Sequence, residues 1–99
     1  MEESAQLRWT PEAIDDLALL RDFIAARNPA AARGVLARIF ETAARLKSFP
    51  ALGQPGRVPG TREIVVSGTP YFMAYRVEDQ IVRIDRVLHG AREWPPRRR

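Results

Sequence analysis

At 99 residues the chain is long enough for one hydrophobic core and too short for two, and 45% hydrophobic with 28% charged residues is the composition of a folded globular domain rather than a disordered or membrane chain. The absence of cysteine and the single histidine exclude disulfides, thiolate nucleophiles and cysteine- or histidine-rich metal sites. The net charge of +4 arises wholly from the second half: residues 1–50 hold seven basic and seven acidic side chains, whereas 51–99 hold nine arginines against five acids, so an anionic partner is expected.

Ala5–Thr10 carries Leu7 and Trp9 on one side with Gln6 and Arg8 on the other, the period of a short strand. Thr10-Pro11-Glu12 then stacks an N-cap residue, a first-position proline and a first-turn acid, which predicts a helix start. Ile14, Leu17, Leu20 and Ile24 follow at helical spacing, and Leu19 and Phe23 widen the apolar face beyond one stripe. Asn28-Pro29 repeats the cap signal, ending the first helix near Arg27 and opening a second lined by Ala32, Leu36, Ile39, Ala43 and Leu46, with Val35 and Phe40 beside them. The connection is short enough to force an antiparallel αα-hairpin.

Phe49-Pro50 stops the second helix, and Pro50–Gly60 carries three prolines and three glycines, the composition of a loop packed onto the domain rather than a linker. Strands are predicted over 62–67, 70–77 and 81–88, joined by Gly68-Thr69 and Glu78-Asp79-Gln80 as an antiparallel meander. In the middle strand both phases are apolar, Tyr71, Met73, Tyr75 and Val77 against Phe72 and Ala74, so neither face reads as plainly solvated. The expected fold is α+β, a βααβββ single domain over 1–99, with 1–4 and 96–99 disordered. No apolar run reaches the roughly 20 residues of a membrane span and the acidic start is unlike a secretory leader, so a cytoplasmic protein without membrane contact is expected.

The candidate chemistry lies in the β half. Arg62, Arg76, Arg83, Arg86 and Arg92, with His89 and Trp94, fall on or just after adjacent strands, where they could gather into one phosphate-binding patch; the competing reading is a solvated face in which Arg83, Asp85, Arg86 and Glu63 pair among themselves. His89 is the one side chain that ordinarily titrates near neutral pH. Metal-free phosphodiester cleavage needs a second proton-transfer group as well, and the second half has no lysine and no acid between Pro50 and Arg62. Glu63 and Glu93 are the nearby substitutes. Trp94 is read as stapling the chain end rather than as a stacking platform. Leu19, Phe23 and Phe40 are either core or exposed anchors for an amphipathic partner helix.

The order of Thr10-Pro11-Glu12-Ala13, Asn28-Pro29-Ala30-Ala31-Ala32, Phe49-Pro50-Ala51-Leu52-Gly53, Gly60-Thr61-Arg62-Glu63, Tyr75-Arg76-Val77 and Arg86-Val87-Leu88-His89-Gly90-Ala91-Arg92 resembles the RelE/ParE superfamily of type II toxins, the ParE branch more than the RelE branch. The resemblance spans Leu7 to Pro95 and implies a toxin held by a ParD-like antitoxin lying along its surface, for which the apolar faces of the hairpin offer Leu19, Phe23 and Phe40 as expected anchors; no cofactor or metal is expected. A ParE-like member would poison DNA gyrase and lack the nuclease's residues; Arg62, Arg76, Arg83, Arg86, His89, Arg92 and Trp94 are the target-binding residues expected from the patch. A RelE-like member would instead cleave mRNA on the ribosome, with Arg62 and His89 in the catalytic positions that resemblance implies. The chain departs from the nuclease branch in lacking its lysine cluster and loop acid.

Overall fold

Both helices start where cap and proline fall together. The Thr10 hydroxyl accepts the Ala13 N–H at 3.0 Å and the Asn28 side-chain oxygen accepts that of Ala31 at 3.0 Å. Each cap thereby satisfies one of the amides left over at a helix start. In the structure, a computed structural model that describes residues 5–97, these caps open α1 (Pro11–Ala25) and α2 (Pro29–Ser48). α1 ends two residues before the expected Arg27, where the Arg27 and Asn28 amides both turn back to the Ile24 carbonyl.

Among the described residues five strands make one mixed sheet: β1 (Gln6–Trp9), β2 (Gln54–Pro55), β3 (Arg62–Val65), β4 (Tyr71–Glu78) and β5 (Ile81–His89), in the order β1-β5-β4-β3-β2. The meander of β3, β4 and β5 forms as expected, with ends shifted by one or two residues. Asp79 and Gln80 both have positive φ, 50° and 62°, the two-residue turn whose twist matches the strands it joins. Two features extend the expected sheet. β2 arises within the Pro50–Gly60 loop, and β1 pairs parallel to β5 with Leu7 opposite Val82 and Arg8 opposite Arg83.

The helices cover one face. Ala13 and Leu20 of α1 and Ile39, Ala43 and Leu46 of α2 are buried against Tyr71, Met73 and Tyr75 of β4 and Val82, Ile84 and Val87 of β5. The other face is roofed as well, which explains the double apolar phase of β4. Phe72, Ala74 and Leu88 are buried there, and the Arg57 guanidinium from the loop lies 5.0 Å from the centre of the Phe72 ring while donating to the Trp94 carbonyl at 3.4 Å. Tyr75 fastens the loop: its hydroxyl donates to the Pro50 carbonyl at 2.7 Å and accepts the Gly53 N–H at 2.8 Å. Gly53 has to be small here, because a Cβ would stand 2.7 Å from both that hydroxyl and the Glu63 carbonyl.

The β4–β5 ladder breaks once. Tyr75 pairs with Ile84 and Ala74 with Arg86, so Asp85 is an extra residue in a β-bulge. At the same level β1 ends at Trp9 and the chain turns into α1, leaving the far half of β5 with an open edge. Met1–Ser4 and Arg98–Arg99, expected to be disordered, lie outside the described residues. Pro96 and Arg97 are described; both are exposed, and Arg97 Nε stands 3.3 Å from the Glu93 carboxylate. No described helix is long and apolar enough to cross a membrane.

Candidate functional site

Asp16 occupies the place that a longer β1 would fill. Its carboxylate accepts the Val87 N–H at 2.9 Å on the open edge of β5, and takes Arg86 Nε at 2.7 Å and Nη2 at 3.0 Å. The Arg86 guanidinium also lies 5.5 Å from the centre of the Trp94 ring, so acid, arginine and indole form a stack tying α1, β5 and the C-terminal segment. The Asp16 hydrogen bond raises the Arg86 pKa further, against the opposing effect of burial. Arg86 is therefore a packing residue rather than a free cation, a correction to the expectation of one patch that includes it. Trp94 does staple the chain end, though to Arg86 and the loop rather than to the core beneath the helices.

Arg76 and Arg83 stand directly opposite each other on β4 and β5 and share the bulge residue: Asp85 accepts Arg76 Nε at 2.9 Å and Arg83 Nε at 3.0 Å. The parallel pairing of β1 adds Arg8 opposite Arg83. Three guanidinium groups thus cross three neighbouring strands on the face away from the helices, with one carboxylate between two of them. Depressions lie on both sides of the row. One, of about 370 Å³, is bounded by Thr10, Glu12, Val58, Ala74 and Trp94; the other, of about 210 Å³, by Glu78, Asp79 and Ile81.

Arg62 and His89 belong to neither depression. Arg62 lies opposite Tyr75 on the helix side of the sheet and donates to the Gly53 carbonyl at 2.8 Å. His89 lies opposite Tyr71, packs edge-on to that ring at 5.4 Å and accepts the Ala91 N–H on Nδ1 at 3.0 Å. Four residues of β4 and two strand spacings separate the pair, roughly 17 Å between Cα atoms. The fully buried Met73 lies between them on the same face. Arg92 sits near His89, not beside Arg76 and Arg83. The expected convergence of all these side chains on one surface thus resolves into separate groups. Glu63, a substitute proton-transfer group in the sequence, is held by Arg57 through two guanidinium contacts and the Arg57 N–H.

Leu19 and Phe23 are 70% and 71% exposed, one turn apart on α1. They border a depression of about 250 Å³ with Leu20, Tyr71, Val87 and His89, and with Arg92 at its rim. Phe40 is also exposed but packs edge-on to Trp9 at 5.6 Å and does not line that depression. Burying these apolar surfaces would need a partner. Sequence reasoning did not single out Arg8, Arg57 or Asp16. The parity of Arg8 with Leu7 and Trp9 put it on the solvent side of a strand, but its neighbour became evident only from the sheet order.

Comparison with known proteins agrees with this architecture. The model for the ParE toxin of the type II toxin-antitoxin system parDE matches residues 7–94. Y4kP of Sinorhizobium fredii is 38% identical over 90 residues, covering 91% of this chain and 93% of its own. Toxin RelE2 of Caulobacter vibrioides is 38% identical over 88 residues, covering 89% and 98%. Among solved structures, the chromosomal ParDE system of P. aeruginosa superposes with a TM-score of 0.78 at 25% identity, covering 89% of this chain and 98% of that one. The RelBE2 toxin-antitoxin complex of Mycobacterium tuberculosis superposes with a TM-score of 0.65 at 32% identity, covering 87% and 98%.

Proposed function

The chain belongs to the ParE toxin family of type II toxin-antitoxin systems, and from that premise we propose that it is a ParE-like poison of DNA gyrase, without phosphodiesterase chemistry of its own, neutralised by a ParD-like antitoxin. One observation carries the choice of target class. The two residues that a nuclease reading would use, Arg62 and His89, have Cα atoms roughly 17 Å apart by strand geometry with the buried Met73 between them. Each side chain is engaged elsewhere, Arg62 with the Gly53 carbonyl and His89 with the Ala91 N–H, which favours a reading without nuclease chemistry. Fold alone does not decide the target, since one scaffold hosts both activities in this superfamily.

The antitoxin part rests on α1. Leu19 and Phe23 present two large apolar side chains one turn apart beside a depression, the pattern an amphipathic helix seats in. The structural relatives come from ParDE and RelBE toxin-antitoxin systems. Phe40 contributes to the same antitoxin in this reading, at a second position beside Trp9. Arg76 and Arg83 contact the target, while Arg86 and Trp94 hold the framework around them.

Induction of the chain without antitoxin tests the reading. The expected result is growth arrest with cleaved chromosomal DNA and a DNA-damage response while transcripts stay intact. Transcripts cut on ribosomes, with intact DNA, would replace it by the RelE-like reading.

A further inference from the structure

In the row Arg8, Arg83, Arg76, the pairing of Arg83 and Arg76 with Asp85 engages one nitrogen of each guanidinium. Like charges directly opposite on neighbouring strands destabilise a sheet, yet here three guanidinium groups stand side by side on β1, β5 and β4. Asp85 is the one carboxylate in direct contact with the row among the described residues, and Glu12, Glu78 and Asp79 line the depressions beside it. Asp85 takes the Nε of Arg76 and of Arg83, so both terminal nitrogens of each are without a protein hydrogen bond among the described residues. Among the described residues Arg8 bonds only the Gln6 side-chain oxygen, at 3.0 Å, and is exposed. Glu78 and Asp79 line the adjoining depression but make no ion pair with the row among the described residues.

A neutral or polar surface would need none of this, and a single bound carboxylate would occupy one fork. A row of outward-facing forks at regular strand spacing matches a ligand with several anionic groups along a line. We infer that Arg8, Arg83 and Arg76 grip the phosphodiester backbone of a nucleic acid. The inference deepens the reading in which Arg76 and Arg83 contact the target: it says that the toxin touches nucleic acid directly rather than the target's protein surface alone. It stands or falls without gyrase, because the binding is to naked strand.

The test is fluorescence anisotropy of the purified full chain with labelled single-stranded DNA and, separately, single-stranded RNA across a salt series, with polyglutamate as a competitor of like charge. Losing one phosphate contact on a single strand changes the slope of log K against log salt by about 0.7, or about fivefold in affinity at about 0.1 M salt. Arg8→Gln and Arg83→Gln should each show that loss, and Arg33→Gln, at an exposed position on α2, should show none. Arg8 is exposed, so a thermal melt of Arg8→Gln close to that of the unmodified chain separates lost binding from unfolding. Equal loss in DNA and RNA, or loss confined to one of them, supports the site and identifies its source. Binding by Arg8→Gln equal to that of Arg33→Gln, or displacement by polyglutamate as effective as by oligonucleotide, would overturn it. If the row fails and gyrase is still inhibited, the proposed target survives and only the direct strand contact is lost.

Discussion

Arg86 Nε lies 2.7 Å from the Asp16 carboxylate, which also accepts the Val87 N–H at 2.9 Å, and through this acid α1 substitutes for the strand that β5 lacks at its open edge. Asp16→Ala would leave a guanidinium and a sheet amide uncompensated at once, with Asp16 9% exposed and Arg86 22%. The expected cost is about 3 kcal/mol. Asp16→Asn keeps an acceptor for the amide and should cost less. Urea denaturation of both variants checks the order, and equal midpoints would contradict it.

The toxin–antitoxin contact should depend on α1 more than on α2. Phe23→Ala is expected to weaken antitoxin binding by roughly tenfold or more, the loss of a central aromatic anchor. Its own stability should hardly change, because the ring is already 71% exposed. Calorimetric titration with the antitoxin and a thermal melt of the free variant separate the two effects.

Both tyrosines should ionise late. Burial raises Tyr71 and Tyr75 above the ordinary value of 10.0, and for Tyr75 the Gly53 hydrogen bond and Arg62 offset part of that rise. A folded-state pKa above the unfolded one means stability is fully present below pH 10.0 and falls as pH rises through the folded value. The chain has two tyrosines, so tyrosinate absorbance reads them directly. The expectation is ionisation above pH 10.0 accompanied by loss of structure. Half-ionisation at or below that pH in the folded chain would contradict the burial argument.

His89→Gln should retain growth arrest. A general acid or base contributes about a hundredfold to ten-thousandfold in rate, so a nuclease relying on His89 would lose nearly all activity. Here the imidazole accepts the Ala91 amide and rests on Tyr71, and its replacement is expected to alter toxicity by no more than about twofold, a surface-level effect. Growth curves at matched expression measure it.

The helix hairpin was legible because its signals are local: Thr10-Pro11 and Asn28-Pro29 cap the helices they predict. The meander was legible for the same reason, through alternation and turn residues. What sequence could not place depends on contacts between distant segments. Arg8 reaches Arg83 only because β1 runs parallel beside the last strand, and Arg86 reaches Asp16 across 70 residues of chain at a bulge that no local pattern marks. The arginine-rich half therefore announced charge correctly while leaving open which arginines were free. Arg86 is engaged internally, Arg62 faces the loop, and Arg8, from the electrically balanced half, completes the exposed row.

Supercoiling of relaxed plasmid by purified gyrase, with the toxin added and the DNA then analysed for breaks, tests the proposed activity most directly. The account predicts inhibition with protein-linked broken DNA accumulating, relieved by the antitoxin and unchanged in His89→Gln. Unimpaired supercoiling at toxin excess, together with mRNA cleavage in a translating extract, would contradict it.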